Sequence, residues 1–136
     1  MASVEEGVRL SGFHVQLPAR QRALLNRVIE ELEREPIEVP RSREVADNLG
    51  VPVQAVDDVI RLGIEAGELV DLGEGIRYST YQLEALADRI RELESPFTAA
   101  EARDALGTSR KYIIPLLEWA DRAGVTEQDE ERRRVL

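Results

Sequence analysis

A repeated order of short elements constrains the fold of this chain more than any other feature of its sequence. From Arg20 onward, apolar side chains recur at helical spacing as far as Pro36, which ends the helix because proline has no amide donor. A short helix that Ser42 would cap and Gly50 would close, a tight turn and a third helix follow. Residues 73–75, Gly-Glu-Gly, then join two short strands into a hairpin. After residue 80 the same order begins again.

The second occurrence of this order of elements is recognised by its helix-capping residues. An apolar helical stripe ends at Ser95-Pro96, and Thr98 with Glu101 has the spacing of a capping box for the next short helix. Gly107 closes that helix, a longer one follows, and residues 125–136 can form a second hairpin. Two similar units in one chain indicate an internal duplication.

Helix, helix–turn–helix and hairpin together are the outline of a winged-helix domain. The sequence therefore predicts a mainly α fold with small β-hairpins (α+β), built as two tandem winged-helix domains. We expect an N-terminal arm at residues 1–17, a first domain at 18–79 and a second at 80–136, with the boundary near Ser79 to Gln82.

One proline disturbs this pattern. Pro115 falls inside the last long helix, which Thr108 or Ser109 would cap. An interior proline costs a helix about 3 kcal/mol relative to alanine. We expect either a kink or a helix that starts late, near Tyr112. Trp119, on the same helix, is expected to fill the core of the second domain.

The composition argues against an enzyme. The chain has no cysteine and a single histidine, His14, which is expected to be a surface or packing residue. No nucleophile–base pair, carboxylate metal set or Gly-x-x-x-x-Gly-Lys phosphate loop occurs, so we expect no catalytic residue, no metal and no cofactor. No stretch approaches the roughly 20 apolar residues that cross a membrane, and no signal peptide begins the chain. A cytoplasmic monomer is the expectation.

The charge is unevenly distributed. The net charge is −9, and residues 1–95 hold 11 Lys and Arg against 19 Asp and Glu, whereas residues 96–136 hold 7 against 8. Phosphate binding needs clustered cations, so a nucleic-acid site is expected only in the last third. Its two basic clusters are residues 110–111 and 132–134. The acidic first part is expected to avoid RNA, or to meet a basic protein surface such as that of a ribosome.

Residues 97–126 carry a family resemblance. They read FTAAEARDALGTSRKY and then IIPLLEWADRAGVT. This sequence closely resembles the last winged-helix domain of the bacterial selenocysteine-specific translation elongation factor. The similarity to the factor over residues 18–95 is weaker. The resemblance implies an RNA-binding module that recognises the selenocysteine-insertion hairpin of an mRNA during selenocysteine incorporation at UGA. It also implies a parent protein whose GTPase part is absent from this chain.

The predicted RNA-binding residues follow from the resemblance and from their chemistry. A helix N-terminus presents free N–H groups to an anion, and Ser109, Arg110 and Lys111 would add a hydroxyl and two charges there. Tyr112 can stack on a base or pack in the core, and Arg103 can instead pair with Asp104. The complete predicted set is Ser109, Arg110, Lys111, Tyr112, Arg103, Arg132, Arg133 and Arg134.

The last hairpin departs from the family. There the family carries paired basic residues and a glycine turn, whereas residues 127–131 read EQDEE before the basic triplet 132–134. Three explanations are open: the triplet compensates for the acidic run, the chain recognises a different RNA hairpin, or it has lost the RNA-binding role.

Two other classes of function stay open, a winged-helix protein-interaction module and a DNA-binding transcription regulator. The acidic third helix, with Asp57, Asp58 and Glu65, argues against the regulator because a major-groove helix needs donors such as Arg, Lys, Asn or Gln.

Overall fold

The computed structural model describes residues 17–136. His14 and all but the last residue of the predicted arm lie outside this range. Within it the chain is mostly helical with two small antiparallel sheets, which confirms the α+β class.

The first unit, as we call residues 19–79, consists of three helices and a hairpin. Its elements are α1 (Ala19–Glu33), α2 (Ser42–Leu49), α3 (Val53–Glu65), β1 (Leu69–Gly73) and β2 (Ile76–Ser79). Gly50 has φ +69° and donates its amide to the end of α2, so it closes that helix as the sequence predicts. β1 and β2 pair antiparallel, with Asp71 opposite Arg77.

The second unit, residues 80–135, repeats this order with one additional strand. Its elements are α4 (Thr80–Arg91), β3 (Phe97–Thr98), α5 (Ala99–Leu106), α6 (Arg110–Arg122), β4 (Thr126–Asp129) and β5 (Arg132–Val135). The sheet order is β3-β5-β4, so β5 is paired on both edges. The capping box of Thr98 and Glu101 is present in both directions, which confirms that prediction.

One continuous apolar cluster runs through both units. Leu25, Val28 and Leu32 of α1 are almost completely buried, as are Leu116 and Leu117 of α6. Burying a large aliphatic side chain contributes about 1.5–3 kcal/mol. Because the cluster is shared, the hydrophobic effect stabilises the contact between the units as well as each unit.

No residue separates the two units. Ser79 is the last residue of β2 and also the N-cap of α4, where its hydroxyl accepts a hydrogen bond from the amide of Gln82. The Gln82 side chain accepts from the Ser79 amide and donates to the carbonyls of Leu32 and Glu35. This capping box therefore fixes the start of α4 to the end of α1.

The structure corrects three local predictions. Helix α6 begins at Arg110 and not near Tyr112, so Pro115 is an interior residue and the Lys111 carbonyl has no amide to accept from at that position. Ser42 does not cap α2: Arg41 occupies the N-cap, and the Ser42 hydroxyl accepts from Arg77 at 2.9 Å. Trp119 is only half-buried: it packs against the core and lines a groove.

Candidate nucleic-acid interface

The N-terminus of α6 is an exposed, positively charged helix end. Ser109, Arg110 and Lys111 are all exposed. Ser109 occupies the N-cap, yet its hydroxyl accepts no hydrogen bond from the helix. The first amides of a helix lack intrahelical acceptors, so this end presents free N–H groups and a partial positive charge. Gly107, with φ +72°, closes α5 three residues before this helix end.

Both cations at this helix end are free of ion pairs with residues 17–136. Neither Arg110 nor Lys111 has a carboxylate within salt-bridge distance in that range. Lys111 is also the only lysine of the whole chain. The two side chains border a shallow cleft against the tip of the first hairpin, at Gly73 and Glu74. Glu74 and Glu118 also line this cleft, so an anion that approached both cations from this side would meet two carboxylates as well.

Tyr112 lies between the two units. It is half-buried, and its hydroxyl accepts a hydrogen bond from Arg41 at 3.2 Å and lies 3.4 Å from the Val39 carbonyl oxygen. The Arg41 guanidinium lies 5.4 Å from the ring centroid and the Lys111 ammonium 5.6 Å from it. Such positions are favourable cation–π geometry. Tyr112 thus holds the start of α6 against the first unit, and a role in base stacking stays a prediction.

A second polar contact closes the same junction. The Thr108 hydroxyl donates to the Glu38 carboxylate at 2.9 Å. The residues immediately before α6 are thus also attached to the first unit. Together the two contacts fix the position of the helix end relative to the segment that joins α1 to α2.

The other predicted site residues are paired within the chain. Arg103 Nε donates to Asp104 at 2.9 Å, which confirms the predicted charge pair. Arg132 is exposed and lies 3.7 Å from Glu101. These two remain accessible to a ligand, but each already has an anionic neighbour.

Arg133 is buried instead of facing solvent. Its side chain is only 8% exposed, and its Nε lies 3.2 and 3.1 Å from the two carboxylate oxygens of Asp121. The Thr126 hydroxyl donates to the same carboxylate at 2.7 Å. This geometry favours a structural role, and RNA contact by Arg133 stays an untested prediction.

Arg134 is exposed but held by Glu127. Its Nη2 lies 2.7 Å from the Glu127 carboxylate, and that hydrogen bond raises the pKa of the guanidinium further above its usual value. The pairing follows from the hairpin register, since Glu127 lies directly opposite Arg134. A two-residue turn at Glu130 and Glu131 sets this register, so the sequence carried a signal for the pair that we did not use.

A groove lies between α4 and the end of α6. Its lining includes Val70, Leu83, Ala87, Trp119 and Val125. Sequence reasoning missed it because Trp119 was assigned to the core. Within residues 17–136, no three His, Cys, Asp or Glu side chains are grouped to hold a metal, and no helix is both long and apolar enough to span a bilayer.

Comparisons with known proteins show similarity to selenocysteine-specific elongation factors. The family described as "Elongation factor SelB, winged helix" matches residues 88–135. A selenocysteine-specific elongation factor from Desulfomicrobium baculatum is 24% identical over 131 residues, which cover 94% of this chain. The factor of Escherichia coli (strain K12) is 30% identical over 89 residues, or 63% of this chain. The chain spans 21% and 14% of the lengths of these two relatives.

Solved structures agree on the fold. The mRNA-binding domain of elongation factor SelB from E. coli, solved in complex with SECIS RNA, aligns with a TM-score of 0.70 at 24% identity, covering 88% of this chain and 98% of that one. A bacterial selenocysteine-specific elongation factor aligns with a TM-score of 0.65 at 27% identity, covering 88% of this chain and 18% of that one. The resemblance first seen in residues 97–126 is therefore confirmed.

Proposed function

We propose, from the match of this chain to the winged-helix region of the selenocysteine-specific elongation factors, that it is the mRNA-binding module of such a factor. In this proposal residues 18–79 and 80–136 are two tandem winged-helix domains, and the second binds the selenocysteine-insertion hairpin. The module recognises RNA and catalyses nothing, while GTP hydrolysis belongs to a part of the parent factor outside this chain. It works in the cytoplasm as a monomer.

The N-terminus of α6 is the observation that carries this proposal. It combines free helix amides with Arg110 and Lys111, two exposed cations without ion pairs inside residues 17–136. Arg can hold a phosphate with two N–H groups, and Lys adds a point charge. We assign Ser109, Arg110 and Lys111 to the phosphates of the hairpin. Arg103 and Arg132 are kept as further candidate contacts, and Tyr112 sets the position of the helix end.

The first unit does not supply an equivalent site on its third helix. On α3, the only basic residue is Arg61, and it pairs with Asp58 at 3.3 Å. Asp57 and Glu65 add further negative charge to the same helix. A DNA-binding regulator would present donors to base edges here, so that alternative is disfavoured. A protein-interaction module, for instance against a basic ribosomal surface, remains the second candidate because this acidic face suits it.

Binding to a labelled selenocysteine-insertion hairpin, followed by fluorescence anisotropy over a range of salt concentrations, tests the proposal. We expect Arg110→Ala and Lys111→Ala each to weaken binding and to lower the salt slope by about 0.7–0.9, the value for one lost phosphate contact. Arg122→Ala is the matched control, because Arg122 is exposed and lies at the opposite end of the same helix. Absence of salt-dependent binding, or equal losses in all three variants, would overturn the proposal.

The single lysine allows an independent check. An amine-reactive reagent can modify only Lys111 and the α-amino group of the chain. We expect the hairpin to protect Lys111 but not the α-amino group, as read by peptide mass spectrometry. Unchanged modification of Lys111 at saturating RNA would contradict its assignment.

A further inference from the structure

The second hairpin pairs a strand that carries Glu127 and Asp129 with the strand that carries the basic triplet 132–134. In the register of β4 and β5, Glu127 lies opposite Arg134, Gln128 opposite Arg133 and Asp129 opposite Arg132. The basic triplet is therefore not a free cationic patch. Each of its three guanidinium groups has an anionic group of this chain within 4 Å.

The three pairs differ in how easily an RNA phosphate could displace them. The Arg133 pair is largely buried, so a phosphate could replace the Asp121 carboxylate only if β5 moved away from α6. The Arg132 contact is long, at 3.7 Å. The Arg134 pair is short, at 2.7 Å, while both side chains remain more than half exposed. Of the two exposed arginines of the triplet, Arg134 therefore has the closer carboxylate partner within the chain.

A carboxylate and a phosphate compete for the same guanidinium. Both accept charge-assisted hydrogen bonds in the fork geometry of arginine. Glu127 lies on the adjacent strand, so its effective concentration at Arg134 is high. A phosphate that reached Arg134 would also have to approach Glu127, Asp129 and Glu130, which repel it.

We propose that Glu127 competes with RNA phosphate for Arg134 and so keeps Arg134 from binding RNA backbone. This proposal rests on the proposed function and deepens it. Phosphate contacts add affinity without sequence information. By occupying Arg134, Glu127 therefore lowers the affinity for any RNA backbone, that of the selenocysteine-insertion hairpin included.

A double-mutant cycle on the whole chain tests this competition. The variants are Glu127→Gln, Arg134→Ala and the two together, each titrated with the selenocysteine-insertion hairpin and with an unrelated hairpin of equal length. Glu127→Gln should strengthen binding to both RNAs by about fivefold near 0.1 M salt and steepen the salt slope by about 0.7–0.9, because one phosphate contact is gained. Arg134→Ala alone should change neither quantity, and it should abolish the gain in the double variant.

Helix α4 supplies a matched control. Asp88 lies 3.0 Å from Arg91, and both side chains are more than half exposed, as in the pair of Glu127 and Arg134. Asp88→Asn should leave the affinity and the salt slope for both RNAs unchanged, because neither residue of this pair belongs to the predicted RNA-binding set. A gain equal to that of Glu127→Gln would show that only the net charge matters, and the proposal would fail.

Two results separate this proposal from the proposed function. If Arg134→Ala alone weakens binding and lowers the slope, Arg134 already contacts phosphate and Glu127 is not a competitor, although the RNA-binding module stands. If Glu127→Gln changes nothing while Arg110→Ala still weakens binding, the competition is likewise refuted. If no variant binds either hairpin with salt dependence, the proposed function itself has failed.

Discussion

Asp121, near the end of α6, holds Arg133 of β5 through both carboxylate oxygens, and the Thr126 hydroxyl bonds to the same carboxylate. The contact joins the second hairpin to the helix whose other end is the proposed RNA site. Arg133 is 8% exposed and Asp121 23%, so neither charge is well hydrated. Removing one partner would leave the other charge poorly compensated.

Arg133→Ala should therefore be strongly destabilising. We expect the free energy of unfolding to fall by about 2–3 kcal/mol, somewhat less than for a fully buried pair because Asp121 keeps some contact with water. Urea denaturation followed by circular dichroism measures this. Arg132→Ala is the neighbouring control and should cost less than about 0.5 kcal/mol. Equal losses of unfolding free energy in the two variants would mean that the contact between Arg133 and Asp121 adds no stability of its own.

Tyr112→Phe tests the junction between the units. The change removes the hydroxyl that bonds with Arg41 but keeps the ring. We expect a loss of about 0.5–1.5 kcal/mol in the free energy of unfolding. The salt slope of hairpin binding should stay the same, because no phosphate contact is lost. Tyr81→Phe is the control, since Tyr81 is 73% exposed and should show no change. A lower salt slope in Tyr112→Phe would argue that its hydroxyl touches phosphate.

The ion pair between Arg22 and Glu68 predicts a pH dependence of stability. Its two N–O distances are both 2.8 Å, and the hydrogen bond from Arg22 lowers the pKa of Glu68 despite the opposing effect of burial. A carboxyl with a lowered folded-state pKa stabilises the fold above its unfolded pKa of about 4.3 and loses that effect as pH falls through the folded value.

Glu68→Gln should therefore lose stability mainly above about pH 4.3, the unfolded pKa of a glutamate. Since about a third of each side chain is exposed, we expect a loss of about 0.5–1 kcal/mol at pH 7, which shrinks as the pH falls below about 4.3. Urea titrations at several pH values measure it. Glu94→Gln, at an exposed position, should behave like the unmodified chain throughout. A loss that did not shrink with falling pH would point to packing and not to charge.

Gly63 should not tolerate a side chain. A Cβ there would lie 2.9 Å from Leu69 Cδ1 and 3.0 Å from Leu25 Cδ1, inside the core where α1 and α3 meet. Overpacking costs about 1–3 kcal/mol, while alanine returns about 1 kcal/mol of helix propensity. Gly63→Ala should thus lower the free energy of unfolding by about 1 kcal/mol. A thermal melt that rises instead would show that the two leucines move aside freely.

The elements and their ends could be predicted because their signals are local. The apolar spacing predicted the helices, the capping box of Thr98 and Glu101 predicted the start of α5, and Gly107 predicted its end. Of the two alternatives for Pro115, a kink or a late start near Tyr112, the late start is wrong, because the packing of Leu116 and Leu117 offsets the cost of an interior proline. Local propensity is overridden by such tertiary contacts.

The candidate site was predictable only in part. The helix end at Ser109 to Lys111 was visible in the sequence, since it depends on residues adjacent in the chain. The bond between Arg41 and Tyr112 joins residues 71 positions apart, and no local pattern carries it. The same holds for the burial of Arg133, which depends on Asp121 reaching the strand across the end of α6.

Ser79 belongs to both a strand and a helix cap, and this has a consequence for how such chains can vary in length. One residue inserted between β2 and α4 would turn α4 by about 100° about its axis, because an α-helix has 3.6 residues per turn. Leu83, Leu86 and Ile90 would then leave the core. Homologous chains should therefore keep this joint at constant length, and insertions should collect at the hairpin tips, around Glu74 and Glu130, where the turns are exposed.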